Sequence, residues 1–234
     1  MPADEKTQMP RKPSAPAKSR RALFNPVAVA VFLLVAIGGT AADLATKDWA
    51  FSSILSDPQV SEAVVLVQRN TTEPLGPDQM LHVLAHPGNF PQRRLAPAQR
   101  ELVGPLKITL STNAGVVFGM PMPRIATIAT TLVTVVLVIV FFALSDARAW
   151  PIHLAMALIL AGALGNLYDR ALAQVVLPGY NGPPIQYQVR DFIDASGLGF
   201  WPWIFNVADI FLVVGVAIPM IYMTFFSHRE KSKR

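Results

Sequence analysis

The sequence predicts an all-α membrane protein, with four transmembrane helices carrying a small β-rich extracytoplasmic platform. Three observations predict it. The 234-residue chain is 52% hydrophobic and only 15% charged, with a mean hydropathy of +0.40, too apolar for an ordinary soluble domain. Apolar runs at 26–42, 125–144 and 207–226, and a shorter one at 152–168 that ends in polar residues, come close to the roughly 20 residues a helix needs to cross the bilayer core. Lipid offers the backbone no hydrogen-bond partners, and uninterrupted runs lack the alternation of barrel strands, so the spans are helices. The net charge of +5 gathers at the ends: Lys6, Arg11, Lys12, Lys18, Arg20 and Arg21 precede the first span, and Arg229, Lys231, Lys233 and Arg234 follow the last. By the positive-inside rule both termini are cytoplasmic, as four spans require. These flanks read as topology signals and not as nucleic-acid-binding tails.

Residues 1–22, rich in Pro, Ala, Lys and Ser, are expected to form a disordered cytoplasmic tail. A four-helix domain over 23–226 follows, with spans at about 24–47, 123–144, 151–170 and 204–226. Asn25 before Pro26 reads as a helix start, a capping side chain and then proline at the first helical position. Arg20 and Arg21 before an apolar run ending in "GTA" also fit a secretory signal. The long tail ahead of them, and a helical pattern that continues through Asp43 and Lys47, favour a retained span. In the outer segment 48–122, "VVLVQR" and "LKITLST" read as short strands, and "TTEPLGPDQMLHVLAHPGNFPQRR" as a variable surface insertion of little burial. His82 and His86, four apart, could share a helical face as metal ligands. With no zincin glutamate and no third ligand nearby, they read as loop histidines. "SDARAWP" is a tight cytoplasmic turn, and Pro151 suits the first turn of the third span. The outer loop 171–203 holds "PGYNGPP" and ends with Trp201 and Trp203, which fit an interfacial aromatic belt. Residues 227–234 are a second basic cytoplasmic tail. The absence of cysteine excludes disulfides, thiol nucleophiles, cysteine-ligated metals and palmitoylation.

An ionisable side chain at membrane depth costs at least about 2.5 kcal/mol and needs a partner or a watery cavity. On this topology Asp43 and Lys47 end span one, Asn166, Asp169 and Arg170 end span three, and Asn206 and Asp209 begin span four. Asn113 precedes span two and Asp191 lies between spans three and four. All fall near the outer interface, and one shared site accounts for them. Asp43 and Lys47 stand at i, i+4 with the acid first, the better order for an ion pair on one face. Asn166 with Asp169 or Arg170, and Asn206 with Asp209, can point inward together. Gly162 and Gly165 let a neighbouring backbone approach closely. Intramembrane acids also mark proton relays, so a proton-coupled transporter is the alternative, beside a non-enzymatic four-helix scaffold. Against a conduction path, span two carries no charge between Arg124 and Asp146.

At these residues the chain resembles the lipoprotein signal peptidase (signal peptidase II) family. "DLATK" (Asp43, Thr46, Lys47), "NAGVVFG" (Asn113, Gly115, Phe118, Gly119), "GALGNLYDR" (Gly162, Gly165, Asn166, Asp169, Arg170), "VRDF" (Val189, Asp191, Phe192) and "FNVAD" (Phe205, Asn206, Ala208, Asp209) look like its blocks in its order. The resemblance covers about residues 24–226. It implies a membrane aspartyl endopeptidase of the bacterial cytoplasmic membrane, with its site near the outer face. Such an enzyme removes the signal peptide from lipid-modified prolipoproteins by cutting before the diacylglyceryl-cysteine. By the same resemblance Asp191 and Asp209 are catalytic, and Asp43, Lys47, Asn113, Gly115, Asn166, Asp169, Arg170 and Asn206 stabilise the site or bind substrate. No metal or other cofactor is expected. The expected partners are the prolipoprotein and membrane lipids, without nucleic acid and with a monomer as the expected state. Two close carboxylates share a proton and titrate as a pair, so one can act as base on water while the other acts as acid. Asp194, outside the block, is expected to be an exposed loop acid. The stretches 48–107 and 170–191 are longer than in a typical member, which bears on the shape of the platform and on substrate access.

Overall fold

A computed structural model describes residues 21–115 and 123–231, with side chains to residue 225. The expectations for tail residues 1–20, for Phe118 and Gly119, and for residues 232–234 lie outside the described residues. Among the described residues four helices are long and apolar enough to cross a membrane: α1 (Pro26–Leu55), α4 (Arg124–Leu144), α5 (Trp150–Ala171) and α6 (Val207–Lys231, apolar through Phe225). Asn25 caps α1 as its sequence position predicts, its side chain accepting from the backbone N–H groups of Val27 and Ala28 at 3.0 and 3.2 Å, with Pro26 in the first turn.

Helix α5 is the centre of the bundle and packs against α1, α4 and α6. Half of its apolar window (50%) is buried, against 22%, 17% and 11% in α1, α4 and α6. Its small residues Ala157, Ala161, Gly162, Ala163 and Gly165 permit that close packing. A central helix faces protein more than lipid, and so needs less hydrophobicity than its neighbours. At the end of the bundle away from the outer segment's sheet, Ala22, which the sequence assigns to the tail, is fully buried and donates its N–H to the Ser145 carbonyl at 2.9 Å. Phe32 and Phe142 stack there with ring centroids 4.0 Å apart.

The platform is a four-stranded antiparallel sheet in the order β1-β2-β5-β6, built from β1 (Gln99–Val103), β2 (Leu106–Asn113), β5 (Val189–Asp194) and β6 (Ile204–Phe205). A separate pair, β3 (Gln174–Val175) and β4 (Ile185–Gln186), lies in the extended loop. "LKITLST" is a strand as expected. "VVLVQR" is not: it belongs to α2 (Pro58–Asn70). Asp57 caps that helix by accepting from Gln59 N–H at 2.9 Å, and Val60, Ala63 and Val64 recur at helical spacing on the buried face. Periodicity and a cap override the strand preference of β-branched residues here.

The expected surface insertion also differs from its reading. It contains α3 (Pro77–Ala85), started by a hydrogen bond from Gly76 N–H to the Gln79 side chain at 2.8 Å. Met80, Leu81 and Leu84 are fully or almost fully buried in one core with Ile54, Val60, Leu110 and Phe192. That segment is structural, because it fills the space between α2 and β2. His82 lies on α3 and not in a loop, while His86 follows the helix as its C-cap residue. The top of α1 (Ala50, Phe51, Ile54) enters the same core and seats the platform on the bundle.

Candidate active site

The site forms where the platform-side ends of the spans in α1, α5 and α6 meet β5. Asn206 and Asp209 make a reciprocal cap at the start of α6. The Asn206 side chain accepts from Asp209 N–H at 3.1 Å, and the Asp209 carboxylate accepts from Asn206 N–H at 3.2 Å. This is a capping box with aspartate in place of glutamate. The Asn206 amide also donates to Asp191 Oδ1 at 2.6 Å and to Asn166 Oδ1 at 3.2 Å, while the Asn166 amide donates to the other Asp209 oxygen, Oδ1, at 3.0 Å. Two asparagines thus hold two carboxylates in one frame. Strand β5 presents Asp191 opposite Ser111 of β2.

Behind this layer lies a closed ionic one. Lys47 and Asp43 are wholly buried and paired at 2.7 Å, as their i, i+4 spacing predicts. Lys47 also reaches Asp169 at 2.9 Å and Asn166 at 3.0 Å, and Asp43 accepts from Ala208 N–H at 2.8 Å. The close approach of α5 depends on its glycines. A Cβ at Gly165 would strike the Asp43 carboxylate, and one at Gly162 the Ala208 carbonyl. A buried charge left without its partner costs about 3–5 kcal/mol, so the satisfied lysine is what permits acids at this depth.

The ten residues singled out in the sequence therefore divide into two sets. Asn113, Gly115, Asn166, Arg170, Asp191 and Asp209 line a groove of about 1530 Å³, while Asp43, Lys47, Asp169 and Asn206 support it from behind. Asn113 accepts from Gly115 N–H at 2.8 Å, and the Gly115 carbonyl accepts from Arg170 at 2.8 Å. The far wall includes Thr127, Thr130, Thr131 and Thr134 of α4, whose hydroxyls each donate to the carbonyl four residues earlier at 2.8 to 3.3 Å. Trp201 and Trp203, the latter 5.6 Å from the former by ring centroid, close the groove ahead of α6.

Burial first, and then the Asp209 charge, push the Asp191 carboxyl up to about 8, against the pull of the Asn206 hydrogen bond and of Lys47. The second acid of the strand behaves otherwise. Asp194 is buried and not, as expected, an exposed loop residue. It accepts from the Thr109 hydroxyl at 2.8 Å and from Ser196 N–H at 2.9 Å. Burial pushes it up, but these hydrogen bonds and nearby Lys107 outweigh that and hold it below the ordinary value.

Two charged residues that the sequence reading passed over belong to the site. Arg190 and Asp48 join the ionic layer, with Arg190 bound to Asp169 and to Asp48. Arg190 stood inside the quoted "VRDF", and Asp48 directly after "DLATK", but only the fold shows that they meet. Among the described residues no group of three His, Asp or Glu side chains is arranged to hold a metal ion.

Comparison with known proteins gives a consistent result. The model of the family described as signal peptidase (SPase) II matches residues 74–226. A lipoprotein signal peptidase of Desulfitobacterium hafniense (strain DSM 10664 / DCB-2) is 30% identical over 155 residues, 66% of this chain and 89% of its own. One from Staphylococcus carnosus (strain TM300) is 32% identical over 127 residues, 54% of this chain and 72% of its own. Two solved structures, each titled as a bacterial membrane enzyme solved by the in meso method, share the fold. One, at 2.3 Å resolution, has a TM-score of 0.54 at 21% identity, covering 84% of this chain and 88% of that one. The other, at 1.9 Å, has the same score and identity and covers 85% and 96%.

Proposed function

The chain belongs to the signal peptidase II family, and from that premise we propose that it is a membrane aspartyl endopeptidase with Asp191 and Asp209 as its catalytic pair. One observation carries the reading: the two carboxylates line a single groove and are held together by Asn206, which donates its side chain to one and its backbone N–H to the other. Asp191, the member pushed up to about 8, holds the shared proton at neutral pH, and Asp209 is the base.

In the reaction, Asp209 takes a proton from a water in the groove as the water oxygen bonds to the scissile carbonyl carbon. Asp191 gives its proton to the carbonyl oxygen, and the charge on the tetrahedral centre is neutralised. As that centre collapses, Asp209 passes its proton to the amide nitrogen, the C–N bond breaks, and Asp191 recovers a proton from the hydroxyl that becomes the new acid carbonyl. Arg170, bound to the Gly115 carbonyl, holds the residues just after β2 against the groove. Asn113 and Gly115 line the same wall and are placed to meet the substrate backbone.

The substrate is a lipid-modified prolipoprotein, cut before the diacylglyceryl-cysteine. Its signal helix lies along the apolar part of the groove, lined by Ala163, Leu212 and Val213 with the α4 threonines opposite. The acyl chains stay in the bilayer while the peptide bond meets water at the interface. The enzyme sits in the bacterial cytoplasmic membrane with both termini cytoplasmic and the platform outside. The test is cleavage of a purified precursor, with and without the lipid on its cysteine, by the protein in bilayers. The expected product is a chain that begins with the lipidated cysteine, formed from the modified precursor alone. Equal cleavage of both precursors, or a cut elsewhere, contradicts the substrate assignment.

A further inference from the structure

Arg190 sits between Val189 and Asp191 in β5. Side chains alternate along a strand, so its guanidinium points away from the groove that Asp191 lines. Its side chain is only 8% exposed. Nε donates to Asp169 Oδ1 at 2.9 Å, Nη2 forms an ion pair with the same oxygen at 2.8 Å, and its backbone N–H donates to Asp169 Oδ2 at 3.1 Å. The remaining arm, Nη1, donates to the Asp48 carboxylate on α1. One residue therefore fastens the strand bearing Asp191 to α5 and to α1 at once, through two hydrogen bonds and an ion-pair contact to Asp169 and a further bond to Asp48.

We propose that Arg190 is a positioning residue for the dyad: clamped between Asp169 and Asp48, it fixes β5 and so sets where the Asp191 carboxylate stands relative to Asp209. The proposal rests on the dyad reading above. A planar guanidinium suits the task because it holds two carboxylates in fixed directions, which an ammonium on a flexible stem does not. Asp48 is the outer anchor. Its side chain is 69% exposed, so it carries none of the burial that holds the platform together.

The clamp is also part of the charge balance around Asp191. The charged groups facing that carboxyl are Asp209 of α6, Lys47 of α1, and Asp169 and Arg170 of α5, while β2 opposes it with uncharged Ser111 and β6 contributes only Ile204 and Phe205. Arg190 and Lys47 share the neutralisation of Asp169. Without the Arg190 charge, Asp169 is undercompensated and its negative field at Asp191 grows, which favours the protonated dyad. Without the Asp48 charge, Arg190 is released to oppose Asp169 more fully, which favours the ionised dyad. The two partners of one ion pair thus act on the proton in opposite directions.

The test is the pH–rate profile of the full-length protein in bilayers, on a lipidated prolipoprotein precursor, for the wild type, Arg190→Gln, Arg190→Lys and Asp48→Asn. Arg190→Gln is expected to lower kcat by about 10- to 100-fold, the scale of a sub-ångström to 1 Å misplacement, with KM within about twofold, and to move the alkaline limb to higher pH. Arg190→Lys is expected to keep the wild-type limb and recover only part of kcat. Asp48→Asn is expected to lose less kcat and to move the limb to lower pH, and its exposed site keeps the measurement available if an Arg190 variant does not fold. Wild-type kcat and an unmoved limb in Arg190→Gln, or in Asp48→Asn where Arg190→Gln does not fold, overturn the clamp. So does a loss uniform across pH that only tracks the amount of folded protein. Asp191→Asn, assayed alongside, separates this proposal from its premise. If that variant is inactive while the clamp variants behave as wild type, only the clamp fails; if it turns over, the dyad itself fails.

Discussion

Asp194 and Asp191 lie three residues apart on one strand, and their surroundings assign them different work. Asp191 receives one amide hydrogen bond and faces another acid, whereas Asp194 receives the Thr109 hydroxyl and the Ser196 N–H and has Lys107 nearby. The carboxyl of Asp194 is held below its ordinary value of 3.8, so its contribution to stability is fully present above that pH and is lost as the pH falls through the lower folded value. Asp194→Asn is therefore expected to keep kcat within a few-fold while lowering the unfolding midpoint at neutral pH, and the gap to wild type should close under strongly acidic conditions. A gap that persists there would place the effect in packing and not in charge. At this scale the sequence was informative where partners are near neighbours: Asp43 with Lys47, and Asn206 with Asp209, follow from helical spacing. It was silent where the partner comes from another element. The burial of Asp194 depends on the β2 to β5 register that sets Lys107 opposite it, and the Arg190 pairs depend on α1 and α5 arriving beside β5.

The element that departs most from its sequence reading is α3. Proline, glycine and polar residues on both sides gave its segment the look of a surface insertion, yet Met80, Leu81 and Leu84 repeat at helical spacing and all point into the platform core. A nine-residue helix presents too few turns for its periodicity to stand out from flanks that break structure. The same applies to α2, whose valines favour strand by type but bury one face by spacing. Replacing residues 73–93 with a short flexible linker should therefore collapse the hydrogen-exchange protection of β1 and β2 and reduce cleavage, with the four spans intact. Leu84→Ala alone should cost about 2–5 kcal/mol, as for a large side chain removed from a packed core. Full protection of β2 in the deletion variant would contradict the structural role of α3.

Across the whole molecule, the long helix α1 links membrane and platform. Its 30 residues span about 45 Å, more than the roughly 30 Å of hydrocarbon, so its last turns stand in the platform core instead of in lipid. The four spans were legible because each is an uninterrupted apolar run. The central place of α5 was visible only indirectly, in its shorter run and small residues. Reporters placed at Arg148 and after Arg234 should register the cytoplasm, and one at Gly88 the outer side, as basic ends and alternating loops predict; an outer C-terminus would require a different span count. The fold brings the platform-side ends of three of these spans and one strand to a single pair of acids, and that pair is the centre of the account. Its most direct test is the turnover of a lipidated prolipoprotein by purified Asp191→Asn and Asp209→Asn in bilayers. Each variant keeps side-chain size and removes a titratable oxygen, so kcat should fall by about 100- to 10,000-fold, with substrate binding and the unfolding midpoint retained. Turnover by either folded variant within about tenfold of wild type would contradict acid–base catalysis by this pair.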